Sequence, residues 1–383
     1  MGEEKKEVIQ DIQTVEESQN VSEAKKDDVQ KPKRDNKGWT MWVIIGTIVL
    51  VAMLVMLGIW PDGVSGLFTT IFAQVQANVW DVFIVGPVGV FIVASIIFGC
   101  ILERLGLTDA LIKLYSPVAK IFKLNPTVLV PAIYNILGDS TAASRIACPV
   151  MVKAGATKNE IQIALATLIQ APFTFSNIAL SVMFLVAAGV NPIPSMLLGI
   201  FLPILILPII LRFTLYRKCK YVPTAEIPRF TPKTGPIETL FGSAAEGMRL
   251  LILTIVPILI AIFFVIGVLV HFGVWQYITI PIEWICKICH IHPTEGVTSL
   301  IISPAVAAPN MMALIAEGTV SRKVVIGTFL LTTASMTVNS AFGDYAKLWN
   351  EYTGLKYHQL LGPVFVGWIF KLLTCFVVAT ILG

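Results

Sequence analysis

The chain has 383 residues, of which 56% are hydrophobic and 14% charged, with a formal net charge of +4; an ordinary soluble domain is roughly 25% charged. The charges crowd one end. Residues 1–38 hold 10 Asp/Glu and 8 Lys/Arg, so the other 345 residues share the remaining 34, and residues 161–211 carry none. A water-soluble protein of this size cannot cover its surface with so few polar groups, and a disordered or fibrous chain would not be so apolar, which leaves a multi-pass membrane protein with a polar tail.

In chain order, residues 1–38 lack aromatics and are rich in Glu, Lys, Gln and Asp, so they read as a disordered cytoplasmic tail. Residues 39–61 form a first apolar span. Lys31, Lys33, Arg34 and Lys37 precede it and place the N-terminus inside the cell membrane. A second span at 82–102 is followed by Arg104, Lys113, Lys120 and Lys123. The stretch 109–124 is apolar on one side and cationic on the other, the pattern of a helix lying in the inner interface.

Residues 126–153 are apolar but broken by Pro131, Gly138, Asp139, Arg145 and Pro149, and read as a poor span or as a re-entrant hairpin. Charge decides between them. A span would put Arg212, Arg217, Lys218, Lys220, Arg229 and Lys233 outside, whereas a hairpin keeps them inside, as the positive-inside rule favours. Two further spans follow at 160–188 and 194–215. The first is interrupted over 170–177, where a proline and several hydroxyl and amide residues predict unwound backbone lining a protected cavity. Residues 217–240 form a basic cytoplasmic loop.

The second half echoes the first. Ala119 to Thr127 aligns with Cys286 to Thr294. After a four-residue gap Gly155 meets Gly318, Ala171 meets Ala334 and Thr174 meets Thr337. Each half runs span, interfacial helix, broken hairpin, interrupted span, span. The second hairpin covers 296–317. Its stretch 296–316 has no charge, so charge alone leaves span and hairpin open there, and the repeat favours the hairpin. The second interruption is 332–340.

Three crossings per repeat make the second repeat inverted, with the C-terminus outside. The expected fold is an all-α integral membrane protein of about seven transmembrane helices plus two re-entrant hairpins. Its repeats cover 80–216 and 241–383. Discontinuous elements of inverted repeats that meet at mid-membrane are the mark of a secondary transporter.

The residues that carry this pattern are the first hairpin tip from Asn135 through Gly138, Asp139, Ser140 and Thr141 to Ala142, the break at 170–177, and their partners at 303–310 and 332–340. They resemble the Gate-domain, or nucleoside-recognition, superfamily over about residues 80–383. That group includes concentrative nucleoside transporters, the membrane part of ferrous-iron permeases and spore-maturation membrane proteins. The resemblance implies two Gate-like halves, a symport mechanism coupled to Na⁺ or H⁺, and a homo-oligomer. It also implies that Asn135 is a cation ligand together with the 174–177 break. Where nucleoside transporters carry Gln-Thr-Glu near the tip, this chain has Gly138-Asp139-Ser140-Thr141.

Ionisable groups at membrane depth are functional candidates by default. Asp139, Arg145 and Lys371 are the main ones; an ion pair between Asp139 and Arg145 is the structural alternative for the first two, and Lys371 either binds an anionic substrate or pairs with Asp139 or another carboxylate. With Ser140, Thr141, Gln170, Ser303, Asn310, Thr333, Asn339 and Ser340 they form the candidate substrate site. Asn135, Thr174, Ser176, Asn177 and Thr337 form the candidate cation site. The expected substrate is a small polar solute, nucleoside-like or carboxylate-bearing.

The six cysteines are too scattered for a disulfide framework. Cys286 to His290 matches a haem-attachment spacing and His292 extends it toward a zinc cluster. The stretch nevertheless aligns with a cysteine-free segment of the first half, so no metal, haem or other cofactor is expected. Nor is nucleic acid. Walker, GxSxG and HExxH motifs are absent, which argues against an enzyme or an ATP-driven pump. A non-transporting scaffold or sensor subunit and a passive channel are the alternative readings.

Overall fold

The structure, a computed structural model, describes residues 41–137, 140–220 and 229–383, without the side chains of Pro87 and of residues 140–142. The expected tail at 1–38 and the Gly138–Asp139 tip lie outside the described residues. The chain divides into two compact units, Met1–Val64 and Ser65–Gly383. In the first, helix α1 (Met41–Ile59) is apolar on every face and buries no residue within the unit, the pattern of a span that faces lipid.

Helix α2 (Pro61–Ile84) runs over the division between the units. The second unit continues with α3 (Pro87–Arg104) and α4 (Leu107–Ile121). A 3₁₀ turn (Pro126–Leu129) leads into α5 (Val130–Leu137), which packs against α6 (Ser140–Lys153). Helices α7 (Lys158–Gln170), α8 (Phe175–Ala187) and α9 (Pro192–Phe213) close the first half.

The second half holds α10 (Pro236–His271), α11 (Trp275–Ile288), α12 (Pro293–Val297) with a π turn at Thr298–Ile302, and α13 (Pro304–Ala316). It ends with α14 (Arg322–Thr332), α15 (Ala346–Thr353), which follows a short helix at Val338–Ser340 and a π turn at Ala341–Tyr345, and α16 (Tyr357–Leu382). Helix α10 begins inside the stretch expected to be loop, because Pro236 sits in its first turn and Glu238 accepts from the Gly235 N–H at 3.3 Å.

Among the described residues four helices are long and apolar enough to cross a membrane: α1, α9, α10 and α16. Helices α2 and α3 make a fifth if counted as one bent span. The two remaining expected spans are each built from two pieces, α7 with α8 and α14 with the segment from Val338. The first break follows from Pro172, which has no N–H and forces its predecessor out of the helical region; Ala171 sits at φ −121°, ψ 53°. The second break contains no proline and ends where Thr337 starts a new helix.

The backbone carries the repeat down to single residues. Lys123 and His290, 167 positions apart, are the non-glycine residues at positive φ among the described residues, at 52° and 55°. Gly106 and Gly273 share both that spacing and a positive φ. Gly155 and Gly318, 163 apart after the gap, are at 65° and 71°. The connections that start and end equivalent helices therefore have the same geometry in both halves. Helix α16 lies close along α7 and α14, and Gly367 permits this, since a Cβ there would stand 2.7 Å from the Ala166 carbonyl oxygen.

Candidate functional site

The two breaks cross. Phe173 and Ala334 form an isolated antiparallel bridge. The Ser335 amide donates to the Pro172 carbonyl at 2.7 Å, and the Ser335 hydroxyl donates to the same oxygen at 2.8 Å. Asn177 Nδ2 donates to the Ala334 carbonyl at 2.5 Å. With the spacing of 163, Pro172 and Ser335 are equivalent residues, and the two breaks run antiparallel where they meet. Paired residues in an antiparallel ladder exchange two hydrogen bonds. Proline has no N–H to give, so only one of the two backbone bonds can form.

The first break is gripped from the first hairpin. Asn135, on α5, is fully buried and donates Nδ2 to the Phe173 carbonyl at 2.8 Å. Its Oδ1 is buried without a hydrogen-bond partner, a state that costs about 1–3 kcal/mol unless something supplies positive charge or a donor. Thr174 starts α8 without capping it through its own side chain. Ser176 and the half-buried Asn177 follow in the first turn, so several amide donors and hydroxyls converge where the helix dipole is positive.

The second break closes its own cap. Thr337 and Ser340 form a reciprocal capping box, with Ser340 N–H on Thr337 Oγ1 at 3.3 Å and Thr337 N–H on Ser340 Oγ at 3.0 Å. Thr333 is fully buried and donates to the Leu330 carbonyl, and Asn339 is exposed. Thr332 Oγ1 pairs with Ser181 Oγ at 2.8 Å, which ties α14 to α8.

Lys371 lies deep in α16, 1% exposed. Its Nζ stands 3.9 Å from the centre of the Phe173 ring and has no hydrogen-bond partner. Gln170, the last residue of α7, turns toward the same helix, with Nε2 3.4 Å from Thr374 Oγ1. The structure thus brings Asn135, Thr174, Ser176, Asn177 and Lys371 around one residue, Phe173 and its flanks, with Thr337 and Ser340 beyond the crossing.

Other candidates are engaged elsewhere. Arg145 is exposed and, with Asp344, Lys347 and Glu351, lines a charged cleft of about 200 Å³. Its neighbour Ser144 is fully buried and accepts from Trp349 Nε1 at 2.9 Å. Ser303 caps α13 through the Ala305 N–H. Asn310 donates to Glu295 Oε2 at 3.1 Å. Asp139, and with it the Asp139–Arg145 ion pair, lies outside the described residues, as do the side chains of Ser140 and Thr141.

Sequence reasoning passed over two buried carboxylates. Glu295 is 5% exposed at the start of the second hairpin. Its only signal was a lone charge beside Pro293. Glu160, fully buried, accepts from the amides of Asn125, Thr157 and Lys220 at 3.1, 2.7 and 3.0 Å. It reads in the sequence as an ordinary capping-box residue. The haem-like stretch is packed into the fold: Cys286 and Cys289 are buried, His290 stacks on Phe376 with ring centres 5.3 Å apart, and His292 caps α12.

These features define an all-α, multi-pass membrane protein with a transporter-like fold. The chain is similar to a doubly substituted variant of CNTnw, a concentrative nucleoside transporter, solved in an outward-facing state. The TM-score is 0.53 at 14% identity, over 89% of this chain and 86% of that one. No protein-family model and no curated protein matches the chain.

Proposed function

We propose that the chain is a secondary active transporter of a small polar organic solute, nucleoside-like or carboxylate-bearing, coupled to Na⁺ or H⁺. The observation that carries this reading is the crossing of two unwound helices through Pro172 and Ser335. Broken helices that meet on the axis of an inverted repeat put half-helix ends and free backbone groups where a solute and its coupling ion can bind. The CNTnw likeness adds the fold of a transporter. In this reading the cation site is Asn135 with Thr174, Ser176, Asn177 and Thr337. The solute is held between the two hairpin tips by Asp139, Ser140, Thr141 and Ser303 and by the second-break residues Asn339 and Ser340. Rocking of one assembly against the other alternates access. The N-terminus lies inside and the C-terminus outside.

The test is uptake of radiolabelled nucleosides and small carboxylates into proteoliposomes, with and without Na⁺ and pH gradients. Accumulation above equilibrium under one gradient is expected. Equilibration without accumulation would make the protein a channel, and no flux at all would make it a scaffold.

A further inference from the structure

We propose that Lys371 is the proton carrier of this protein: it takes up and releases the coupling H⁺ and passes its charge state to the first break through the ring of Phe173. The proposal rests on the transporter reading above and names the ion that reading leaves open. Three observations carry it. Lys371 is fully enclosed, lines none of the described cavities that border α16, and has no hydrogen-bond acceptor for its three donors. A buried ammonium that serves structure is paired with a carboxylate or with carbonyls, because an unpaired buried charge costs several kcal/mol.

Among the described residues no such partner faces it. On α16 the titratable neighbour is Cys375, one turn on and fully buried, which in turn lies near Cys289 of the α11 end. Helix α7 carries Lys158 and Glu160, and α14 carries Arg322 and Lys323, all in the first turns of those helices. Lys347 and Glu351 of α15 line the charged cleft with Arg145. Arg212 of α9 binds the Phe122 carbonyl.

Nζ lies over an aromatic face. A ring accepts an ammonium by cation–π attraction and an amine by a weak N–H···π contact. It therefore tolerates both protonation states where a carboxylate would hold only one. The ring belongs to Phe173, whose carbonyl is held by Asn135 and which is bridged to Ala334 at the crossing. Loading Nζ with a proton turns the weak contact into a stronger attraction on the residue at the centre of the break. Release returns the proton to water on the opposite side and leaves a neutral amine.

Two measurements on the full chain in liposomes test this. In the first, ¹⁵N-lysine NMR follows the Nζ signal that disappears in Lys371→Met. Conversion between ammonium and amine within the physiological pH range is expected, and a signal that stays in one state throughout overturns the proposal. In the second, radiolabelled uridine is the probe. Lys371→Met is expected to lose accumulation driven by a pH gradient. Undiminished pH-driven accumulation in the variant overturns the proposal. Absence of uridine exchange in the unsubstituted protein counts against the proposed substrate class, while the Nζ titration still decides whether Lys371 is a proton site.

Discussion

The two halves of this chain share a backbone and differ in how they treat it. Equivalent turns have equivalent dihedrals at Lys123 and His290 and at Gly155 and Gly318, yet the polar groups that hold those turns are not copied. In the first half a fully buried Glu160 gathers the amides of three segments, Asn125, Thr157 and Lys220. Its equivalent in the second half, 163 positions on, is the exposed Lys323, and the matching turn is held instead by Thr328, whose hydroxyl oxygen accepts from the His292 amide at 2.8 Å. The first break leans on Asn135 and on its partner segment, whereas the second closes its own capping box. Around the breaks, Asn135 Oδ1 in the first half is left open, whereas Thr337 and Ser340 in the second satisfy each other.

Substitution at equivalent positions can break or sharpen this contrast. The largest effect is expected at Glu160. Glu160→Ala strands several buried donors, each worth about 1–3 kcal/mol, so thermal unfolding in detergent should drop sharply. Lys323→Ala, exposed, should stay within about 0.5 kcal/mol of the parent. Equal losses would mean that the two halves are held alike.

Next comes Asn135. Asn135→Ala leaves the Phe173 carbonyl without its donor, at about 1–3 kcal/mol, and should abolish ion-driven uptake. Its equivalent, Ile302, is apolar and 7% exposed; Ile302→Val should cost about 0.5–1.5 kcal/mol and leave the ion dependence of uptake intact. If the ion dependence survives in Asn135→Ala, the cation site is elsewhere.

A smaller change is expected at the axis. Pro172→Ala restores the missing N–H and permits the second cross-break hydrogen bond, worth about 0.5–1.5 kcal/mol. The variant should be more heat-stable and slower in turnover, measured side by side with Ser335→Ala, which loses one side-chain bond and should shift stability the other way.

The smallest effect concerns the loop end at 229–231. Burial raises the Asp109 carboxyl, but hydrogen bonds from the Thr231 hydroxyl and the Phe230 and Thr231 amides, with Arg229 3.9 Å away, outweigh it and hold the group below the ordinary carboxylate range. A depressed folded-state value stabilises the anchored loop above the unfolded value, and that stability is lost as pH falls through the folded one. The protection factors of the Phe230 and Thr231 amides, relative to their intrinsic exchange rates, should therefore fall in acid, and Asp109→Asn should remove that pH dependence.

The amino-acid sequence by itself determined the class, the breaks and the repeat. Scarce charge forces a membrane fold, proline at 172 forces a local departure from helix, and the spacing between matched turns reveals duplication. Each is a property of composition or of neighbouring residues. It also pointed to Lys371, because a lone cation eleven residues into an apolar helix is conspicuous in one dimension. What it left open was partnership. Asn135 meets the Phe173 carbonyl, Lys371 meets the Phe173 ring, Glu295 meets Asn310, and Glu160 gathers three chain segments. Only tertiary structure decided these, because hydrogen bonding and ring contact depend on which residues distant in the chain are brought within a few ångströms. The same packing separated Gln170, which turns to α16, from the break it borders in the sequence.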